Sequence, residues 1–242
     1  GPDGDGVWHD DEAGIGLAHR RVAILDLSPA GAQPMTSAGG RFVLAYNGEV
    51  YNHLDLRADL HIAGQAPQWR GHSDTETLLA AVEAWGLDET LRRAEGMFAL
   101  AIWDRKTRVL SLARDRMGEK PLYWGWAGKT LVFGSQLKAL RQHPDCSREI
   151  CPKALRQYFR FAYIPAPLSI HPGIYKLEPG CVLQVDQVPP PMPSDELLRP
   201  AMNHGSLSIR RYWSLGEVLA AGHADPIEDP EEAISLLETT LK

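Results

Sequence analysis

Residues 97–103, Met-Phe-Ala-Leu-Ala-Ile-Trp, carry no polar side chain and stand between Gly96 and Asp104. An all-apolar strand has to be covered on both faces. The fold must therefore set either a second sheet or a layer of helices against each side of it. The surrounding sequence favours sheets. Residues 15–25, 41–46, 109–113, 121–126, 129–134 and 181–185 have the branched and aromatic content of short strands separated by turn signals. Residues 104–108 and the pair Ala127-Gly128 read as hairpin connections, which makes the pairing mainly antiparallel.

Helices are fewer. Ser73-Asp74-Thr75-Glu76 has the form of a capping box, Leu78, Leu79, Val82 and Trp85 follow at helical spacing, and Gly86 ends the run. Residues 54–60 behind Asn52, residues 136–142, and residues 153–159 behind Pro152 are shorter candidates. Residues 186–208 hold too much proline and too little pattern for a core and read as a loop or insertion, after which IRRYWSL resumes as a strand. Residues 230–242 form a helix with Pro230 in its first turn and Ile234, Leu237 and Leu241 on one face. That face has no partner, and the chain opens without Met on the turn-like GPDGDGVW, so a segment of a longer protein is expected.

Charge excludes some functions. With 25 basic and 31 acidic residues the net charge is -6, which offers no basic stripe to a nucleic acid, and no apolar run is long enough to span a bilayer. Cys146, Cys151 and Cys181 are too few for a disulfide framework and form no zinc-like set, which points to a reducing, cytoplasmic setting.

Three places could carry chemistry. Asn47-Gly48 between two apolar runs is a strong hairpin signal, yet Glu49-Val50-Tyr51-Asn52-His53 is too short and polar for a good return strand. Arg20-Arg21 is either a solvent-facing pair on an edge strand or a guanidinium clamp for a carboxylate. Asp74 suits a helix N-terminus for its dipole alone, or could oppose a substrate ammonium. Glycine-rich phosphate loops are absent.

Taken together, GPDGDG, LAHRRVAILDLSPAGAQPM, YNGEVYNH, HSDTE, EGMFALAIWD, RDRMGEKPLYW and FGSQLKAL resemble, in order and spacing, the glutaminase domain of glutamine-hydrolysing asparagine synthases. That domain is a class II glutamine amidotransferase of the N-terminal-nucleophile hydrolase type. The resemblance covers residues 1–185, with 186–208 as a Pro-rich loop or insertion and 209–242 as a final strand, a linker and the first helix of a synthetase domain. It implies an α+β fold, a four-layer αββα sandwich of two mainly antiparallel sheets. It also implies hydrolysis of glutamine to glutamate and ammonia, the ammonia passing to a synthetase site where ATP and Mg activate aspartate. No cofactor is implied for the residues in hand, and a homodimer is implied for the full-length protein.

By position, the resemblance makes Arg21 the clamp for the glutamine α-carboxylate, with Val22, Ala23, Ile24 and Leu25 lining the same pocket. Asp74 becomes the partner of the α-ammonium and Glu49 a second holder of it. The Asn47 side-chain amide and the Gly48 N–H match the two oxyanion-hole donors. The departure is the nucleophile: the family uses an N-terminal Cys, Gly1 matches a point several dozen residues past it, and none of the three cysteines replaces it. The residues in hand are therefore expected not to hydrolyse glutamine alone. Gln136 also replaces a family Glu. The alternatives are a β-lactam-synthetase-like relative whose N-terminal domain is structural, and a non-catalytic interaction module.

Overall fold

The computed structural model describes residues 2–186, 188–193 and 198–241. They form two compact units, one extending to Tyr212 and one starting at Trp213. In the first, the strands are β1 Gly4–Asp10, β2 Ile15–Arg21, β3 Met35–Thr36, β4 Phe42–Val50, β5 Gly96–Asp104, β6 Val109–Arg114, β7 Tyr123–Ala127, β8 Thr130–Gly134, β9 Ile174–Lys176, β10 Cys181–Asp186, β11 Met202–His204 and β12 Leu207–Arg211. The helices are α1 His53–Ile62, α2 Asp74–Trp85, α3 Leu87–Arg93, α4 Leu137–Leu140 and α5 Pro152–Phe161.

Seven strands make one antiparallel sheet in the order β11-β12-β10-β6-β5-β4-β3. Strands β8-β7-β9 make a second sheet and β1-β2 a two-stranded ribbon. The apolar run is β5, in the interior of the large sheet, and its alternate residues serve two cores. Ala99, Ala101 and Trp103 pack with Trp124, Trp126 and Tyr175 of the second sheet. Phe98, Leu100 and Ile102 pack with Leu78, Leu79 and Val82 of α2. On the outer face of the second sheet, Leu137 and Leu140 of α4 pack with Ala127, Val132 and Ile174. Helix, sheet, sheet and helix are thus stacked as the αββα sandwich.

Several expectations need correction. The strand expected over 15–25 stops at Arg21, and Val22, Ile24, Leu25 and Leu27 lie exposed on an irregular loop. GPDGDG does not open as a turn, since Gly4–Gly6 already pair with Arg21–His19. Asn47-Gly48 is not a hairpin: β4 runs straight through it, with Asn47 opposite Ala99 and Gly48 opposite Phe98. The hairpin expectation fails because local signals cannot see a strand partner about fifty residues away. Asn52 precedes α1 without capping it; its side chain instead bridges Arg93 O and Glu95 N.

The 186–208 segment does contribute to the core. Leu198 is buried among the inter-sheet side chains, Trp126 Nε1 donates to Pro190 O, and β11 and β12 close the sheet edge as a hairpin. Residues 187 and 194–197 of that segment lie outside the described residues.

The second unit contains two helices, α6 Leu215–Ala224 and α7 Pro230–Leu241. Helix α6 was not expected, although Ser214 and Glu217 give its start: Ser214 Oγ accepts from Glu217 N. The predicted face of α7, Ile234, Leu237 and Leu241, is exposed; Lys242, the expected last residue of that helix, lies outside the described residues. Among the described residues no helix is long and apolar enough to cross a membrane.

Candidate functional site

The cleft of interest opens where β3, only two residues long, leaves most of the edge of β4 uncovered. Backbone N–H groups in an antiparallel strand point alternately to the two sides. On β4 the N–H of Tyr46 donates to Gln33 Oε1 (2.7 Å) and the N–H of Val50 to Asp74 Oδ2 (3.0 Å), both on the side away from β5. The N–H of Gly48, midway between them, shares that side and faces the cleft. Its donor position comes from strand alternation at an open edge.

Gly48 is required for a reason the sequence did not disclose. A Cβ there would collide with the carbonyl oxygen of Met97 and lie 2.7 Å from Phe98 Cα. The glycine allows β4 and β5 to approach closely beneath the cleft, and the side opposite the collision is the one that holds the N–H.

Asp74 is buried at the first residue of α2. Its Oδ2 accepts from the Tyr46 hydroxyl (2.8 Å) and Val50 N, and its Oδ1 from Thr75 N (2.8 Å). Burial, then the charge of Asp74, push the Tyr46 phenol upward, so it stays a neutral donor. No cation among the described residues lies within ion-pair range of Asp74. His53 nearby is kept toward its neutral form by burial, which outweighs the pull of Asp74.

The turn that carries Asp74 is pinned from below. Ser73 Oγ accepts from Glu76 N, as its cap position predicts. Glu76 does not complete the reciprocal half of a capping box; its carboxylate accepts from Arg70 N and Gly71 N. Arg57, stacked over Trp69 at 4.0 Å, donates to Gly71 O, Ser73 O and Thr77 Oγ1. The loop before α2 is thereby held by side chains, having no ladder of its own.

Arg21, the last residue of β2, also lines the cleft. Its guanidinium donates to Ser28 O (2.9 Å) and to Asp26 O, both backbone carbonyls of the following loop. No carboxylate among the described residues pairs with it. Among the described residues, the wall that carries Arg21 thus holds a cation with no ion-paired carboxylate, and the wall that carries Asp74 an anion with no ion-paired cation.

Eight of the nine residues singled out in the sequence, namely Arg21, Val22, Ala23, Ile24, Leu25, Gly48, Glu49 and Asp74, line this one cleft. Asn47 does not. Its side chain emerges on the other face of β4, and Nδ2 donates to Ser135 Oγ (3.0 Å) at the end of β8. Residues not foreseen also line the cleft: Asp26, Gly31, Gln33, Tyr46, Ser73 and Thr75. Asp26-Leu27-Ser28-Pro29 carried a turn signature that could have exposed the first of them. Gln33 and Tyr46 had no local signal, because their roles consist of contacts across the chain.

None of the three cysteines lines the cleft. Cys146 packs with Leu140 and Ile174, and Cys181 is fully buried in the sandwich with its thiol pushed up to about 11 by burial. Both behave as packing residues. Among the described residues no three His, Cys, Asp or Glu side chains gather as a metal site.

The αββα sandwich is the architecture that the resemblance to class II glutamine amidotransferases implies, and comparison with known proteins agrees. A family model described as a glutamine amidotransferase domain matches residues 1–189. Asparagine synthetase [glutamine-hydrolyzing] 3 of Bacillus subtilis is 33% identical over 232 residues, covering 95% of this chain and 34% of that protein. A putative asparagine synthetase [glutamine-hydrolyzing] of Mycobacterium tuberculosis is 36% identical over 202 residues, 78% of this chain and 30% of that protein. In fold, the chain is similar to the glutamine phosphoribosylpyrophosphate amidotransferase of B. subtilis, with a TM-score of 0.53 at 20% identity, over 83% of this chain and 35% of that one. The chain belongs to the class II glutamine amidotransferase family and is homologous to the glutaminase domain of glutamine-hydrolysing asparagine synthetases. It spans about a third of the length of these relatives.

Proposed function

We propose that the cleft binds L-glutamine as the amido donor of an ATP-dependent asparagine synthase, the ammonia released being passed to a synthetase site that amidates aspartate. The observation that carries this reading is that Arg21 and Asp74, opposite charges with no ion-pair partner among the described residues, line one cleft together with Gly48. The zwitterionic end of an amino acid complements the charges: its carboxylate to Arg21, its ammonium to Asp74 and Glu49. Val22 to Leu25 supply backbone along the same wall.

The amide end of the ligand then reaches β4. Attack on that carbonyl creates an oxyanion, which the Gly48 N–H would stabilise; losing one such donor typically costs about a hundredfold or more in rate. The Asn47 amide, which donates to Ser135 Oγ on the other face of β4, is not a donor to this cleft. The attacking thiol in this reading is the family's N-terminal cysteine, a group that Cys146, Cys151 and Cys181 do not supply. ATP and Mg fit nothing among the described residues, which contain neither a metal-ligand cluster nor a glycine-rich phosphate loop, so no step in this cleft runs through them.

Isothermal calorimetry of the chain with L-glutamine tests the reading. Saturable binding is expected, weaker by about tenfold or more for glutaramic acid, which lacks the ammonium, and for Asp74→Asn. Equal heats for the two ligands, or none for either, would sink it.

A further inference from the structure

We infer that Asp26 is the positioning residue of this cleft, holding Arg21 and the turn that carries Asp74 in place relative to each other. The inference rests on the reading of the cleft as a glutamine site.

Residues 22–28 and 65–72 carry no ladder hydrogen bonds, so their course is set by side chains. Asp26 is 6% exposed. Its Oδ1 accepts from Ser28 N (2.8 Å) and Ser28 Oγ (2.6 Å), closing the loop into a tight turn. That turn aims the carbonyls of Asp26 and Ser28 at the Arg21 guanidinium. Its Oδ2 accepts from His72 N (2.8 Å), two residues before Asp74. One residue thus contacts the cation on one wall and the segment leading to the anion on the other.

Two glycines record how tightly the parts are drawn together. A Cβ on Gly31 would lie 3.0 Å from Arg21 Cζ, and one on Gly71 would lie 2.8 Å from Ala30 Cβ and collide with Asp26 Oδ2. The chemistry of the side chain matters as well. All three groups facing the carboxylate are neutral donors, and only a carboxylate offers acceptors on both oxygens. An amide would turn an NH₂ toward either His72 N–H or Ser28, breaking one side of the link at unchanged volume. Asp26 also remains ionised, held at about 2 by the Ser28 hydroxyl and then by His72 N–H.

The test combines Asp26→Asn with three ligands: L-glutamine, 4-aminobutanamide (no carboxylate) and glutaramic acid (no ammonium). In the native chain, removal of the carboxylate is expected to weaken binding about tenfold or more, the scale of a charged hydrogen bond. In Asp26→Asn, glutamine affinity falls by a similar factor and the penalty for removing the carboxylate shrinks to about threefold or less, because Arg21 is misplaced. Adding Arg21→Ala to Asp26→Asn brings little further loss. Glutamine affinity within twofold of native, or an equal loss for all three ligands, would overturn the inference, the second outcome marking a general loosening.

A ligand-free arm separates this from failure of the glutamine reading itself. If the native chain takes up no glutamine, that reading falls, and the inference is then judged by the ¹⁵N resonances of Arg21 Nε and of the His72 and Asp74 amides. These shift in Asp26→Asn if Asp26 links the two walls. Resonances that stay in place refute the link.

Discussion

Gly48→Ala discriminates between a turn and a strand at YNGE. The added Cβ would meet Met97 O, Phe98 Cα at 2.7 Å and Phe98 Cβ at 2.8 Å, where ordinary carbon contacts begin near 3.4 Å. Two of these three atoms are backbone of β5, in the interior of the sheet, and β5 is clamped from its other side by β6. Neither strand can yield without disturbing both cores, so the cost belongs at the upper end of overpacking, about 2–4 kcal/mol. For a chain of this size that lowers Tm by about 4–16 °C. Gly16→Ala is the control: it also lies in a strand, but its nearest new contact is Trp8 O at 4.0 Å, so its Tm should stay within about a degree or two. The assay is thermal unfolding followed by circular dichroism at 222 nm, with urea midpoints as a check. A Gly48→Ala protein melting no lower than the Gly16→Ala control would refute the close-approach argument and return the pair to a solvent-facing turn.

Two further outcomes follow from the packing and the charges. Leu198→Ala removes a side chain that is 3% exposed within the inter-sheet core and should cost about 2–5 kcal/mol by urea unfolding; a change under about 0.5 kcal/mol would show that the Pro-rich segment only drapes over the surface. Asp26 has a depressed folded-state pKa of about 2, against about 3.9 for an unfolded aspartate, so its stabilisation is complete above roughly pH 5 and is lost as pH falls through 4 to 2. The stability gap between native and Asp26→Asn should therefore close on acidification, and a gap that is constant from pH 6 to pH 2 would contradict the charge assignment.

Much of this protein could be read from local sequence. The apolar 97–103 run demanded two covered faces, and β5 has them. Ser73 announced α2, Pro152 announced α5, and the hairpin at 104–108 joins β5 to β6 as expected. Short-range rules succeed here because capping, fixed φ angles and side-chain alternation depend on neighbours a few residues away. The same rules failed at Asn47-Gly48, at Val22 to Leu25 and in the Pro-rich segment, where the deciding partners are β5, the Arg21–Asp26 turn and the inter-sheet core.

The candidate site divides along that line. The sequence by itself determined which residue types are present: one arginine in a strand, one aspartate at a helix start, and one Asn-Gly pair, in motifs whose order identifies the family. Only the tertiary structure decided that Arg21 and Asp74 line one cleft without ionic partners among the described residues, that Gly48 N–H points inward from an open strand edge while the Asn47 side chain turns to Ser135, and that Asp26 contacts both Arg21 and the segment before Asp74. Charge compensation and donor direction depend on which distant groups come within about 4 Å, and that distance is set by the packing of the two sheets and their helices.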